Sequence, residues 1–290
     1  MASHTRCRAC DSDGVSLRYR VKGYDLVACR ACGSLTTAFS LSDQGAASYY
    51  DHSYFHGGDY QDYEASEPYI RRNFEQMAER LRSLGPGGRL FEMGCAYGYF
   101  LDVAREHWEV AGQDISPAAV EKARARHGES VTCGDLLTTP LANHHYDWVV
   151  GWDMIEHVDA PRAYAARAFG LLRAGGSLAL STGDVGSRAA RLLGRHWRLL
   201  TPPSHLTYFS RRGMERMLRD AGFSEVRFST VGYERSLDFV AFRLLGEVLY
   251  ERLVKRWSGL RGFLGARSFY VDLGDIMFVS AKKPAAVSAR

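Results

Sequence analysis

The stretch Arg89-Leu90-Phe91-Glu92-Met93-Gly94-Cys95-Ala96-Tyr97-Gly98 decides how this chain folds. Its first half is a short apolar run of strand character. Its second half places two glycines just before "YFLDVAREH" (99–107), a helical pattern. Glycine lets the main chain turn sharply and approach a ligand, and the free N–H groups of a helix start face whatever sits there. A strand, a glycine turn and a helix in that order predict a binding loop of nucleotide type. The pattern departs from the dinucleotide fingerprint, because Gly94 and Gly98 have three residues between them and Glu92 precedes Gly94 by two. A carboxylate there repels a pyrophosphate and favours a ligand bearing an ammonium or a sulfonium.

Outward from this loop the chain alternates short apolar runs with longer helical patterns. "EVAGQDI" (109–115) predicts a strand, and "SPAAVEKARARHG" (116–128) a helix with Ser116 as N-cap and Pro117 at its first position. "VTCGD" (131–135) and "YDWVVGWD" (146–153) predict strands, "APRAYAARAFGLL" (160–172) a helix and "GSLALST" (176–182) a strand. Upstream, Ile70, Phe74, Met77 and Leu81 recur at helical spacing until Gly85-Pro86-Gly87-Gly88 stops the pattern. Alternation of this kind predicts an α/β fold with a parallel sheet and a ligand at the carboxyl ends of the strands.

The loop Glu92–Gly98 resembles motif I, (D/E)-x-G-x-G-x-G, of the class I S-adenosylmethionine (SAM)-dependent methyltransferases, with Ala96 in place of the middle glycine. Asp114 ending the second strand, Asp135 in "CGDLL", "YDWVVGWDMIEHV" and "LLRAGGSLALST" continue the resemblance in order over roughly residues 67–231. It implies a Rossmann-like, mostly parallel seven-stranded sheet, with "SEVRFST" and "GDIMFVSAK" pairing as antiparallel sixth and seventh strands. It also implies that Glu92, Gly94, Cys95 and Gly98 border SAM. Asp114 would then accept from the ribose hydroxyls, and Asp135 would lie beside the adenine amino group with Leu136 near the ring. Ile115 and Trp152 complete the implied cofactor set.

Methyl transfer from a sulfonium is an in-line displacement, so the protein must align, desolvate and, for a hydroxyl acceptor, supply a base. Two histidines near the strand ends are candidates for that base. His157 follows the fourth strand, and His205 lies in "HWRLLTPPSHLTYFS" (196–210), where Pro202-Pro203 restricts the chain. Each could equally fix its loop by a hydrogen bond. Asp153, Glu156 and His157, at i, i+3 and i+4, could share a helix face and hold a divalent cation, as in the ubiquinone-pathway O-methyltransferases that this motif resembles.

Near the N-terminus "CRAC" occurs twice, as Cys7–Cys10 and Cys29–Cys32, with eighteen residues between the copies. No apolar leader precedes them, which points to a cytoplasmic chain in which four paired cysteines hold a metal rather than disulfides. The spacing matches a zinc ribbon with four thiolates around one structural ion. Residues 1–40 are read as that ribbon, 41–66 as a tyrosine-rich lid or linker, and 67–283 as the methyltransferase domain with a helical insertion at 233–270. Tyr60 and Tyr63 are candidate cofactor neighbours, and Tyr49, Tyr50 and Tyr54 candidate acceptor neighbours. In the insertion Leu237, Val240, Leu244, Val248 and Leu253 approximate a helical stripe, suited to a cap, a homodimer contact or a membrane surface.

A net charge of +4 and a pI near 8.7 do not mark a nucleic-acid binder. Arg188, Arg191, Arg195 and Arg198 would share one face if their segment were helical, either solvated or as an anion site. Methyltransferases combining a four-cysteine module with an "HL-x-x-FS" loop resemble enzymes of sugar, polysaccharide and antibiotic pathways. The expected acceptor is therefore a small molecule or glycan, with a hydroxyl oxygen favoured. A sugar C-methyltransferase and a zinc-ribbon ribosomal RNA methyltransferase are the alternatives. Deoxysugar C-methyltransferases carry a further C-terminal domain for which these 290 residues leave no room, and neither CRAC copy is flanked by a basic cluster.

Overall fold

The protein is described here from a computed structural model, over residues 6–40, 64, 66–237, 250, 253 and 267–285. The alternation of apolar runs builds one central sheet. Its strands are β4 (Gly88–Met93), β5 (Trp108–Asp114), β6 (Val131–Cys133), β7 (Tyr146–Trp152), β8 (Leu172–Gly183), β10 (Ser224–Thr230) and β13 (Ile276–Lys282). They lie in the order β10-β13-β8-β7-β4-β5-β6. β13 runs antiparallel to both β8 and β10, and the other pairs are parallel. This is the expected seven-stranded, Rossmann-like α/β fold. Because β5 and β7 flank β4 on opposite sides, the strand order reverses there, and a crevice opens at the carboxyl ends of those strands.

Alternate side chains of the strands feed two cores. Leu90, Trp148 and Val150 pack against α1 (Glu67–Leu84) and α2 (Tyr99–Ala104) through Met77, Leu81 and Phe100. Phe91 and Val149, one residue out of step, pack with Ala165 and Ala168 of α4 (Pro161–Leu171) and Met217 of α6 (Arg211–Asp220). Between β5 and β6 lies α3 (Pro117–His127), where Ser116 caps the helix by accepting from the Ala119 N–H at 3.3 Å, with Pro117 first. None of the helices among the described residues is long and apolar enough to cross a membrane.

The N-terminal strands β1 (Val15–Val21) and β2 (Tyr24–Cys29) form a hairpin about Lys22-Gly23, both with positive φ, which continues into β3 (Leu35–Thr37). The fourth strand of this small sheet is β9 (Thr207–Tyr208), contributed by the segment that follows His205. The ribbon is thus joined by main-chain pairing to the loop after β8.

Two expectations change. Arg188, Arg191, Arg195 and Arg198 do not share a helix face, because α5 (Arg188–Leu193) stops at Gly194 with φ 52°, a tighter turn follows, and Arg198 turns back to Asp275 at 2.9 Å. The insertion is fastened at its base by β11 (Tyr233–Ser236) paired with β12 (Ser268–Val271). Of its apolar stripe only Leu237 and Leu253 fall among the described residues.

Candidate active site

At the end of β4 the chain turns through Gly94 (φ 70°), Ala96 (φ 45°) and Gly98 (φ 76°) into the start of α2. A side chain at Gly94 would crowd Met154, and one at Gly98 would crowd His127, so both positions favour glycine sterically as well as conformationally. Ala96 keeps the left-handed conformation of the glycine it replaces, at a cost of about 1–2 kcal/mol for a residue with a Cβ. Ala96→Gly is therefore expected to stabilise the fold by roughly 1 kcal/mol, measured as a higher denaturant midpoint at unchanged slope.

Two groups that hold this turn carry charge logic. Asp114 Oδ2 accepts from the Ala96 N–H at 2.8 Å and Oδ1 from the Ser116 N–H at 2.9 Å, so the acid expected at a ribose also clamps the loop. Glu92 is buried, and its Oε2 has no hydrogen-bond partner among the described residues. Burial, with Asp114 nearby, holds the Glu92 carboxyl well above the usual range. An unpaired buried acceptor of this kind is completed by a cationic or N–H-bearing ligand, so the residues present fit SAM.

Around the neighbouring strand ends the outcome is mixed. Asp135 Oδ1 accepts from the Leu137 N–H at 2.7 Å and the Tyr164 hydroxyl at 3.0 Å, which fixes the carboxylate above β6. Leu136, expected at the adenine ring, is fully buried in the core cluster that also holds Phe91, and Leu137, 40% exposed, is the leucine open at this turn. The indole of Trp152 is also a core group, 5.1 Å from the Phe100 ring and 6.1 Å from Phe278. Ile115 is half-buried beside Asp114, and Cys95 is buried within the loop. Tyr60, Tyr63 and the other lid tyrosines lie outside the described residues.

Beyond β7 the predicted helix face does not form. Asp153 takes φ 47°, and its carboxylate accepts from Ser181 Oγ at 2.8 Å and from the Tyr233 hydroxyl at 2.6 Å. The chain then turns, and Glu156 and His157 meet His205 from the other loop. The two imidazoles stand edge to face with centroids 4.6 Å apart, and His157 Nδ1 lies 3.0 Å from the Ser204 carbonyl, so Nδ1–H donates and the ring is held in that orientation. The ligand atoms of Glu156, His157 and His205 lie within 4.8 Å of one another, so any cation held here would be ligated by His205 rather than Asp153.

Burial, reinforced by His157, holds the His205 imidazole well below its usual 6.5, so it is neutral at neutral pH. Burial and the nearby Asp153 push the Glu156 carboxyl up to about 8. A carboxyl raised on folding binds more protons in the folded chain, so its contribution to stability falls as pH rises between about 4.5 and 8. Glu156→Gln removes that loss, and its unfolding midpoint relative to the parent is expected to climb between pH 5 and pH 9. A difference constant with pH would contradict this.

Comparison with known proteins agrees with this geometry. Residues 64–227, more than half of the chain, match the family described as a methyltransferase domain. The chain belongs to that family. A probable S-adenosylmethionine-dependent methyltransferase of Mycolicibacterium smegmatis is 32% identical over 164 residues, 55% of this chain and 61% of that protein. A ubiquinone biosynthesis O-methyltransferase of Cereibacter sphaeroides is 30% identical over 119 residues, 38% of this chain and 48% of that protein. The chain thus spans about half to three-fifths of the length of these curated relatives. Among solved structures, phosphoethanolamine N-methyltransferase 2 of Haemonchus contortus, in complex with S-adenosyl-L-methionine, superposes with TM-score 0.53 at 17% identity, covering 83% of this chain and 60% of that one. At that identity the likeness concerns the fold.

Outside the matched methyltransferase domain, Cys7, Cys10, Cys29 and Cys32 converge with all four Sγ atoms within 4.8 Å and are buried. Cys7–Cys32 and Cys10–Cys29 are 3.6 and 3.5 Å apart, against about 3.8 Å for the edge of a tetrahedron with zinc–sulfur bonds of about 2.3 Å. The donor set fits zinc.

Sequence reading did not reach Arg8, Tyr233 or the pairing of β3 with β9. The one available sign was "PPSHLTYFS", a proline-fixed loop ending in strand-prone residues with no strand partner in its own domain.

Proposed function

We propose that this methyltransferase transfers a methyl group from SAM to a hydroxyl oxygen of a small molecule or glycan, with His205 as the base and His157 beside it. The observation that carries the reading is the pair of facing imidazoles at the carboxyl edge of β7, one loop from the Glu92–Asp114 turn. When bound, SAM supplies an electrophilic methyl on a sulfonium. Glu92 would offer its unpaired oxygen to the cationic end of the ligand, Asp114 its remaining lone pairs to the ribose, and Asp135 its free oxygen to the adenine edge. Ile115 and the open Leu137 would border the nucleoside.

At neutral pH the uncharged His205 can take the proton of an acceptor hydroxyl, and His157, its Nδ1–H held by Ser204, keeps a fixed tautomer next to it. A neutral imidazole of this kind suits an alcohol, whose proton must leave as oxygen attacks. The O-methyltransferase names among the relatives support oxygen as the acceptor atom. The four-cysteine site would hold zinc with no open coordination position, so its part is structural. Its ribbon pairs with the segment that follows His205 through β3 and β9.

The test is to incubate the purified chain with methyl-labelled SAM and, separately, with total RNA and with the small-molecule and glycan fractions of a cell extract. Label is expected in a small-molecule or glycan fraction. Label confined to RNA overturns the proposal.

A further inference from the structure

The second residue of the first cysteine knuckle, Arg8, has its side chain 1% exposed; its Nε has no hydrogen-bond partner among the described residues, and its two Nη atoms span from the ribbon to two loops of the methyltransferase domain. Nη1 donates to the carbonyls of Thr37 at 2.7 Å and Leu206 at 3.1 Å. Nη2 donates to the carbonyl of Phe39 at 2.6 Å and to Asp159 Oδ1 at 3.0 Å. Leu206 follows His205, and Asp159 ends the turn that carries Glu156 and His157.

The bonds around it close a frame. The Thr37 hydroxyl donates to the His205 carbonyl at 2.9 Å and the Thr37 N–H to the Leu206 carbonyl at 2.9 Å. The N–H groups of Leu206 and Thr207 both reach the Glu156 carbonyl, at 2.8 and 3.1 Å. The Ser210 hydroxyl, at the far end of this loop, donates to the carbonyl of Cys32 at 2.6 Å. The carbonyls of His205 and Leu206 and the N–H groups of Leu206 and Thr207 are thereby tied either to the ribbon or to the turn of His157, while the His205 N–H donates to the Thr201 carbonyl of its own loop at 3.1 Å.

A buried guanidinium is costly unless its donors are paired, and a ribbon that had only to fold itself could fill this space with a hydrocarbon side chain. Here two of the four acceptors, Leu206 and Asp159, belong to the two loops that bring the imidazoles together. We infer that Arg8 is a positioning residue for His205 and His157, held in place by the metal-binding cysteines on either side of it, so that the ribbon forms the back wall of the acceptor side of the site. The value of this arrangement for catalysis rests on reading His205 as the base; the positioning itself does not.

The test uses the full-length zinc-loaded protein with 15N-labelled histidine, following the His157 and His205 ring signals by NMR and carbethoxylation of His205 by diethyl pyrocarbonate. Arg8→Gln is expected to raise the His205 modification rate at least about tenfold and to shift both ring signals. Bound zinc should stay at one per chain, and S-adenosylhomocysteine affinity should stay within about threefold of the parent. Thr37→Val, which removes one bond to the His205 carbonyl and leaves the knuckle untouched, is expected to give a smaller change in the same direction. It decides the matter if Arg8→Gln does not fold. His205 rates and ring signals equal to the parent in the variants that fold would overturn the inference. A His205→Ala protein that still methylates its acceptor, while Arg8→Gln moves the ring, would sink the base reading and leave the positioning intact.

Discussion

His205→Ala is expected to lower transfer of label from SAM to its acceptor by about 10²–10⁴-fold, the contribution of a placed acid–base group, while S-adenosylhomocysteine binds within about threefold of the parent. The split follows from geometry. His205 meets His157 and Glu156 across the two loops, whereas Asp114 bonds to the glycine turn and the start of α3. The pH profile should carry the same signature. Because burial depresses the folded pKa below 6.5, the neutral form persists as pH falls, and the acid limb of kcat/KM is expected below pH 6.5. The sign for stability is the matching one: the buried neutral imidazole contributes fully above its unfolded pKa and loses that contribution as pH falls through and below 6.5. Transfer by His205→Ala at the parental rate would remove the residue from the chemistry.

The second large effect concerns the metal that the four cysteines would hold. Residues 6–40 bury few large apolar side chains of their own. Leu26 and Leu35 belong to a cluster completed by Ala190, Trp197, Leu200 and Tyr208 from the methyltransferase domain. A segment of this size needs a staple, and metal affinity of roughly 10–16 kcal/mol in small zinc modules is folding free energy. Cys32→Ser, or exhaustive chelation, is expected to melt the ribbon and release β9. Methyl transfer should then drop at least about as far as in His205→Ala. The glycine turn is held by β4, β5, α2 and α3, none of them part of the ribbon, so S-adenosylhomocysteine binding should survive. A metal-free protein with parental stability and turnover would refute this part of the account.

Much of the sheet was legible because each strand lies next to a helix whose pattern is local. The Ser116 cap, the Gly94–Gly98 turn and the antiparallel pairing of β10 with β13 all follow from residues close in sequence or from a family resemblance. The acceptor side was less legible, because it is assembled from distant pieces. Asp153, Glu156 and His157 suggested a helix face by spacing. The chain instead turns at Asp153 because Ser181 and Tyr233, on two other strands, hold its carboxylate. Leu136 and Leu137 are equivalent by composition, and only the packing under β6 decides that the first is core and the second open. Arg8 sits in a motif read for its cysteines, and nothing local announces that its guanidinium reaches residues 206 and 159.

The central claim, methyl transfer to a hydroxyl oxygen at this strand edge, is tested most directly by the product itself. The protein is incubated with 13C-methyl SAM and the extract fraction that accepts label, and the carbon chemical shift of the transferred methyl is read by NMR. The account predicts a methyl bonded to oxygen, absent from the His205→Ala reaction. A methyl bonded to carbon or nitrogen, or the same O-methyl product at the same rate without His205, would contradict it.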